Sequence, residues 1–281
     1  MKEKIRSIQG LRAIAYIAIF ISHSRVGSFG YLGAWGVSVF LVMSGLLMYI
    51  NYNERIEMFD GYGVLDCIKF SYSKIRKLYL LHFLMMVLSI PYAIVSGGVV
   101  RPVILHTLLI QIWIPKASYY ETLNGVSWYL NVCAFAYFCF PFIMKKRKRW
   151  EKHGSLMLLI ILQVAVSCLA FIFGNRDRNG VFPVQWITYY CPLTRLIDFA
   201  IGCKLGDVYL GSSVNSSKKP RIIRLYEKCP LIFEIIVLAL ILLNFSCYAN
   251  QWAIFGSDYC KYTLLFTIST CMLVLMSLDK N

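Results

Sequence analysis

Two ionisable residues inside an apolar stretch are the first sign of chemistry in this sequence. Residues 10–24, GLRAIAYIAIFISHS, carry Arg12 near one end and His23 near the other. Eleven residues of helix turn through about 1100°, three turns plus ~20°, and rise about 16.5 Å. The two side chains therefore share one helix face, Arg12 at a membrane boundary and His23 well inside. A guanidinium pairs with anions in forked geometry, and an imidazole accepts a proton near neutrality. At bilayer depth both are costly unless they meet a polar cavity or a partner. Each has a plainer reading as well: Arg12 as a snorkelling topology marker, His23 as a hydrogen bond to a neighbouring helix.

Further ionisable and polar groups recur along the chain. Arg195 and Asp198 stand three apart inside a later apolar run. That spacing allows a mutual ion pair, or a shared place on a cavity wall. Lys74, Arg76 and Lys77 cluster before another apolar run, and the plain reading is a set of positive-inside anchors. Ser44 has no adjacent base and no G-x-S-x-G context, so packing or hydrogen bonding is expected of it. His82, His106 and His153 show no metal-ligand spacing and receive no catalytic role. The ten cysteines form no C-x-x-C pair and lie mostly in apolar segments, as small packing residues do. No metal site is expected.

The elements that hold these residues follow from composition. The 281 residues are 58% hydrophobic, with a mean hydropathy of +0.61, against about 45–50% apolar for soluble domains. The apolar runs are continuous rather than alternating, which excludes a β-barrel. The expectation is an all-α, polytopic transmembrane bundle forming a single integral-membrane domain over residues 1–281. Its spans fall near 11–27, 31–52, 75–97, 126–144, 154–174, 184–209, 230–249 and 258–278. Arg12 interrupts the first run and no A-x-A site follows, so that run reads as an uncleaved helix rather than a signal peptide.

Charge orients the bundle. The net +15, from 29 Lys and Arg against 14 Asp and Glu, would suggest nucleic acid in a soluble protein. In a membrane protein it marks cytoplasmic loops, and no nucleic-acid partner is expected. With the N-terminus inside and PVILHTLLIQIWI (102–114) not crossing, KKRKRWEK (145–152), KKPRIIRLYEK (218–228) and the 53–77 loop all fall inside. If 102–114 crossed, KKRKR would lie outside. At thirteen residues it is also short for a span. It is therefore read as a re-entrant or interfacial helix on the outer side, leaving eight spans. GSSVNSSKKP (211–220) reads as a cytoplasmic linker.

Four further stretches give these residues a family context. GLRAIA opens an R-x10-H first helix, and GAWGVSVFLVMSG (33–45) follows it. YSKIRKLYLLHF (72–83) is similar to a basic loop-to-helix junction, with Lys74 and Lys77 as the basic pair and Leu80 where Pro is usual. NGVSWYLNVCAFAYFCFP (124–141) and RLIDFAIGCKLG (195–206) complete the order. Together they resemble the membrane acyltransferase-3 family. The resemblance runs over residues 8–206 and implies a member shortened at its C-terminus, with fewer than the usual ten or so helices.

The resemblance implies transfer of an acyl group, commonly acetyl, from cytosolic acyl-CoA to a carbohydrate hydroxyl. Acceptors in the family include exopolysaccharide, lipid-linked glycan and peptidoglycan, and the setting is the bacterial cytoplasmic membrane. It makes His23 the catalytic residue, as general base or as an acylated relay, kept neutral by burial. Arg12, Lys74, Arg76 and Lys77 then bind the phosphates of the acyl-CoA. Asn124, Ser127, Trp128, Arg195, Asp198 and Ser44 line the cavity or acceptor side. Two other classes compete: a proton-coupled transporter or flippase using the same buried ionisable groups, and an inactive shortened family member.

Overall fold

A computed structural model of the chain describes residues 6–24, 30–95, 102–146, 155–214 and 228–249. The expected span 258–278, the linker beyond residue 214 and the basic stretches 147–152 and 218–227 lie outside the described residues, as does His153. The described residues are helical. They hold no β-strand, only an isolated bridge between Asn175 and Pro183. The long helices are α1 (Arg6–His23), α2 (Gly30–Tyr52) and α3 (Val64–Val95). Two short ones follow, α4 (Val103–Thr107) and α5 (Ala117–Tyr120). Then come α6 (Trp128–Lys145), α7 (Ser155–Phe173), α8 (Pro192–Val214) and α9 (Pro230–Ala249). Four stretches are long and apolar enough to cross a bilayer: Leu32–Phe59, Val64–Val95, Gly125–Lys145 and Ser155–Phe173. The molecule is an all-helical membrane protein.

Two compact units divide the chain, each assembled from separated pieces of sequence. The first comprises residues 1–54, 149–167 and 197–281. Glycines set its packing. A Cβ on Gly36 would stand 2.7 Å from the Ala15 carbonyl oxygen and 2.8 Å from Ile19 Cγ1, and Gly33 faces Ser22. Residue numbers run oppositely across those contacts, so α1 and α2 form an antiparallel pair. Gly45 lies against the Phe199 carbonyl, Gly202 against the Val42 carbonyl and Gly206 against the Leu46 carbonyl. Gly202 meets Val42 and Leu46 while Gly206 meets Leu46 and Tyr49, so from 202 to 206 the numbers rise together and α2 and α8 run parallel. Small residues permit this approach where no larger side chain would fit. Ala15, Val42, Leu46, Ile201 and Leu205 fill the core between the three helices, and Leu159, Ile160 and Val166 of α7 pack against it.

The second unit comprises residues 55–148 and 168–196. Within it Ile75 of α3 and Leu130 of α6 meet Leu109 from the connecting segment. Phe59, Phe70 and Phe140 form an aromatic cluster with ring centroids 5.7–6.0 Å apart. The segment 102–127 is not a spanning helix. It is α4, five residues long, then a 3-10 turn over Gln111–Trp113, α5, and a second 3-10 turn over Gly125–Ser127. Leu109 and Leu123 take left-handed backbone, with φ of 52° and 50°. For residues with a side chain this costs about 1–2 kcal/mol each, so the surrounding contacts must hold them there.

Two expected boundaries move. The third helix begins at Val64, not 75, and its 32 residues reach about 48 Å. Its first turns therefore project beyond the hydrocarbon and carry the basic residues assigned to a 53–77 loop. The expected span 184–209 is broken. A π-helical turn at Trp186–Tyr190 ends on Cys191, which is extended with ψ of 121°. Pro192 explains the break: its ring disfavours helical backbone in the residue before it, and the proline itself suits a helix start.

Candidate functional site

His23 is the last residue of α1, and its ring is fixed by its own helix. Its Nδ1 donates to the Ile19 carbonyl at 2.8 Å. The Ser22 hydroxyl, which donates to the same carbonyl at 2.7 Å, lies 3.1 Å from Nδ1. With the proton on Nδ1, the neutral ring presents its lone pair at Nε2. His23 is exposed rather than buried as expected, and a backbone carbonyl, not a buried environment, orients its ring. Ile8, Leu11, Ala15 and Ala18 are the buried stripe of α1. Arg12, Tyr16 and His23 line up along one flank of that stripe, all exposed. The shared face of Arg12 and His23 is thus a ridge beside the α1–α2 seam.

The remaining expected residues fall in two settings. Ser44 is half-buried on α2, next to the Gly45 crossing, in the first unit. Asp198 is wholly buried on α8 in that unit. Lys74, Arg76 and Lys77 are exposed on α3 in the second unit, and the Lys74 ammonium lies 5.0 Å from the centre of the Phe70 ring. Arg195 is 2% exposed, its guanidinium 5.6 Å from the centre of the Tyr189 ring. Trp128 is buried, with the rings of Tyr189 and Tyr190 at 4.7 and 4.9 Å.

Asn124 and Ser127 belong to a polar network that the sequence did not reveal. His82 Nε2 donates to the His106 carbonyl at 2.9 Å, and the Asn124 amide donates to His82 Nδ1 at 3.1 Å. His106 Nε2 donates to the Tyr119 carbonyl at 2.9 Å, and the Ser127 hydroxyl donates to His106 Nδ1 at 3.4 Å. Gln111 Nε2 donates to Ser127 Oγ at 2.9 Å, and Asn131 donates to Gln111 Oε1 at 3.3 Å. Each imidazole therefore donates through Nε2 and accepts at Nδ1. Burial pushes the His106 pKa down from its ordinary 6.5, with a smaller contribution from His82. His82 and His106 are 24 residues apart and meet only through the folding of 102–127 onto α3, so no spacing rule could have paired them.

A second omission lies in the first unit. Lys204 donates to Asp207 Oδ2 at 2.6 Å, and the Tyr49 hydroxyl donates to Asp207 Oδ1 at 2.8 Å. The i,i+3 spacing of Lys204 and Asp207 was the available signal.

An all-helical membrane protein with an oriented imidazole on its first helix defines a broad class. Sequence comparison narrows it. The family model described as an acyltransferase domain, that of the acyltransferase-3 family, matches residues 5–281. The chain belongs to that family. The match extends past residue 206, where the motif resemblance stops. Among curated proteins, acyltransferase MdmB of Streptomyces mycarofaciens is 25% identical over 223 residues, covering 71% of this chain and 56% of that protein. Peptidoglycan O-acetyltransferase OatA of Listeria monocytogenes serovar 1/2a is 25% identical over 229 residues, covering 74% of this chain and 34% of that protein. The chain thus matches little more than half of one relative and a third of the other. No solved structure matches it.

Proposed function

We propose that this chain transfers an acyl group, acetyl in the simplest case, from cytosolic acyl-CoA to a carbohydrate hydroxyl at the membrane. The observation that carries this reading is His23, exposed on the same flank as Arg12, whose Nδ1–H is held by the Ile19 carbonyl and leaves Nε2 as the accepting nitrogen of a neutral ring. In the transfer the acceptor oxygen attacks the thioester carbonyl and its proton passes to His23 Nε2. The carbon–sulfur bond then breaks and the departing thiolate takes the proton from the imidazolium. Arg12, Lys74, Arg76 and Lys77 are the cations proposed to hold the donor phosphates. Asn124, Ser127, Trp128, Arg195 and Asp198 are proposed to serve the acceptor. Family membership supports acyl transfer, and a relative named as a peptidoglycan O-acetyltransferase supports a glycan acceptor.

The same reading includes topology. Eight spans with a cytoplasmic N-terminus, in a bacterial cytoplasmic membrane, require three crossings between α2 and α8. The parallel packing of those helices agrees with α3, α6 and α7 as the three and with 102–114 staying on the outer side. A crossing by that segment would make α2 and α8 antiparallel.

The test uses purified protein in proteoliposomes with radiolabelled acetyl-CoA and a mixed glycan acceptor. Wild-type protein is expected to move label to glycan, and His23→Ala to abolish transfer while the far-ultraviolet spectrum stays helical. Unchanged turnover in His23→Ala would remove the catalytic assignment. Ion-gradient-driven uptake with no label transfer would replace an enzyme by a transporter. Label retained on a peptide containing His23 would identify an acyl-imidazole intermediate in place of direct attack.

A further inference from the structure

Ser22 precedes His23 on the last turn of α1 and shares its anchor. The Ser22 hydroxyl donates to the Ile19 carbonyl at 2.7 Å, the same oxygen that receives the His23 Nδ1–H at 2.8 Å. With its own proton engaged there, Ser22 Oγ still has lone pairs to accept with, and Nδ1 lies 3.1 Å away. The Nδ1–H is therefore shared between two oxygens. Ser22 is half-buried, while His23 is exposed. Helix α2 covers the hydroxyl: a Cβ on Gly33 would stand 2.3 Å from Ser22 Oγ and 3.0 Å from Ser22 Cβ. A side chain at 33 would have to push the hydroxyl aside.

A serine bonded to a carbonyl three or four residues back is common in helices and by itself says nothing about chemistry. Ser24 shows the plain form, donating to the Ile21 carbonyl at 2.8 Å. Ser22 differs because its oxygen also faces the ring. In the proposed transfer Nε2 takes the proton of the acceptor hydroxyl, and the ring becomes an imidazolium with a proton on each nitrogen. A hydrogen bond from a charged donor is roughly twice as strong as a neutral one. Each oxygen at Nδ1 therefore holds the charged ring more tightly than the neutral ring. An interaction that strengthens as charge develops speeds the step instead of only tightening binding. The same two bonds fix the rotation of the ring, so Nε2 keeps one direction. When the departing thiolate takes the proton from Nε2, the ring returns to neutral with its Nδ1–H in place.

We propose that Ser22 is a positioning residue for His23: its hydroxyl, seated against Gly33 of α2, is the second acceptor of the Nδ1–H and stabilises the imidazolium formed during transfer. This rests on the general-base reading above and adds the side chain that orients and supports the base.

The test measures steady-state transfer in proteoliposomes, with acetyl-CoA as donor and the mixed glycan as acceptor. Wild type, His23→Ala, Ser22→Ala, Ser22→Thr and Ser24→Ala are compared. Ser22→Ala is expected to lower kcat about tenfold, the loss of one hydrogen bond to a charged group. Its KM for acetyl-CoA and its thermal midpoint should not change. Ser22→Thr keeps a hydroxyl and should regain most of the rate. Ser24→Ala removes the plain bond and should match wild type. Gly33→Ala reaches the hydroxyl from the other helix; it should lower kcat in wild type and cost little more on top of Ser22→Ala. Unchanged kcat in Ser22→Ala overturns the proposal alone and leaves the hydroxyl as an ordinary helix bond. A midpoint that falls together with kcat, or an equal loss in Ser24→Ala, also overturns it, because the hydroxyl would then be structural. Unchanged turnover in His23→Ala, or a wild type that transfers nothing, overturns the reading on which the proposal rests.

Discussion

In the second unit, Asn131, Gln111, Ser127 and His106 pass hydrogen bonds in one direction to the Tyr119 carbonyl, and Asn124 and His82 close a second path onto His106. In the first unit, His23 leaves Nε2 open on an exposed flank. A closed network rigidifies what it joins. Open valences are positions where a ligand can complete the bonding. The contrast assigns holding to the histidine network of the second unit and proton transfer to His23 of the first, and it can be attacked from both sides.

The largest effect belongs to His23. General-base catalysis contributes about 10²–10⁴-fold, so His23→Ala should lose transfer by that factor or more with thermal stability unchanged. A variant that instead unfolds the protein would make His23 a structural residue and blur the contrast. His106→Ala should do the reverse. It leaves the buried Ser127 hydroxyl proton without an acceptor, worth about 1–3 kcal/mol, and takes one of two donors from the Tyr119 carbonyl, which keeps Thr122. The thermal midpoint should fall by several degrees, read by light scattering in detergent, and donor affinity should not change.

Acidification probes the network without mutation. Burial depresses the His106 pKa below its ordinary 6.5, so the unfolded chain binds more protons than the folded one below that pH. Stability is then complete above about 6.5 and declines as pH falls from there through the folded pKa. Protonation also takes away the Nδ1 lone pair that accepts from Ser127. A midpoint measured from pH 8 to pH 5 should bend downward below about 6.5 in wild type. The bend should be weaker in His106→Gln, which keeps an amide donor near the position of Nε2 and cannot titrate. Equal bends in both would move the acid sensitivity elsewhere.

The parts of this molecule legible in sequence are those set by local pattern. Continuous apolar runs gave helices, and the shared face of Arg12 and His23 followed from helical rotation alone. The segment 102–114 is short for a span by its length alone, and it folds as a five-residue helix and a 3-10 turn. What escaped was set by distant partners. The break at 191–192 had a local cue, Pro192, but the apolar run around it masked the stop. The Lys204–Asp207–Tyr49 group escaped because Asp207 lies just past the 195–206 motif and Tyr49 comes from another helix. His82 and His106 looked unrelated because 24 residues separate them and only the tertiary fold brings them together.

The smallest effect tests whether the segment 102–127 of the second unit is held by its interior or by its surface. Arg178 forms an ion pair with Glu121, which also accepts from the Tyr190 hydroxyl at 2.8 Å. The side chains are 50% and 30% exposed, so water and salt screen the pair and its worth is at most about 1 kcal/mol. Arg178→Ala leaves Glu121 solvated and still bonded to Tyr190, and Ala117 keeps its backbone bond to the residue 178 carbonyl at 3.1 Å. The thermal midpoint should shift by a degree or two at low salt, and raising the salt should erase the difference. A drop as large as that of His106→Ala would mean that the segment 102–127 is clamped from outside. The buried histidines would then follow its position instead of setting it.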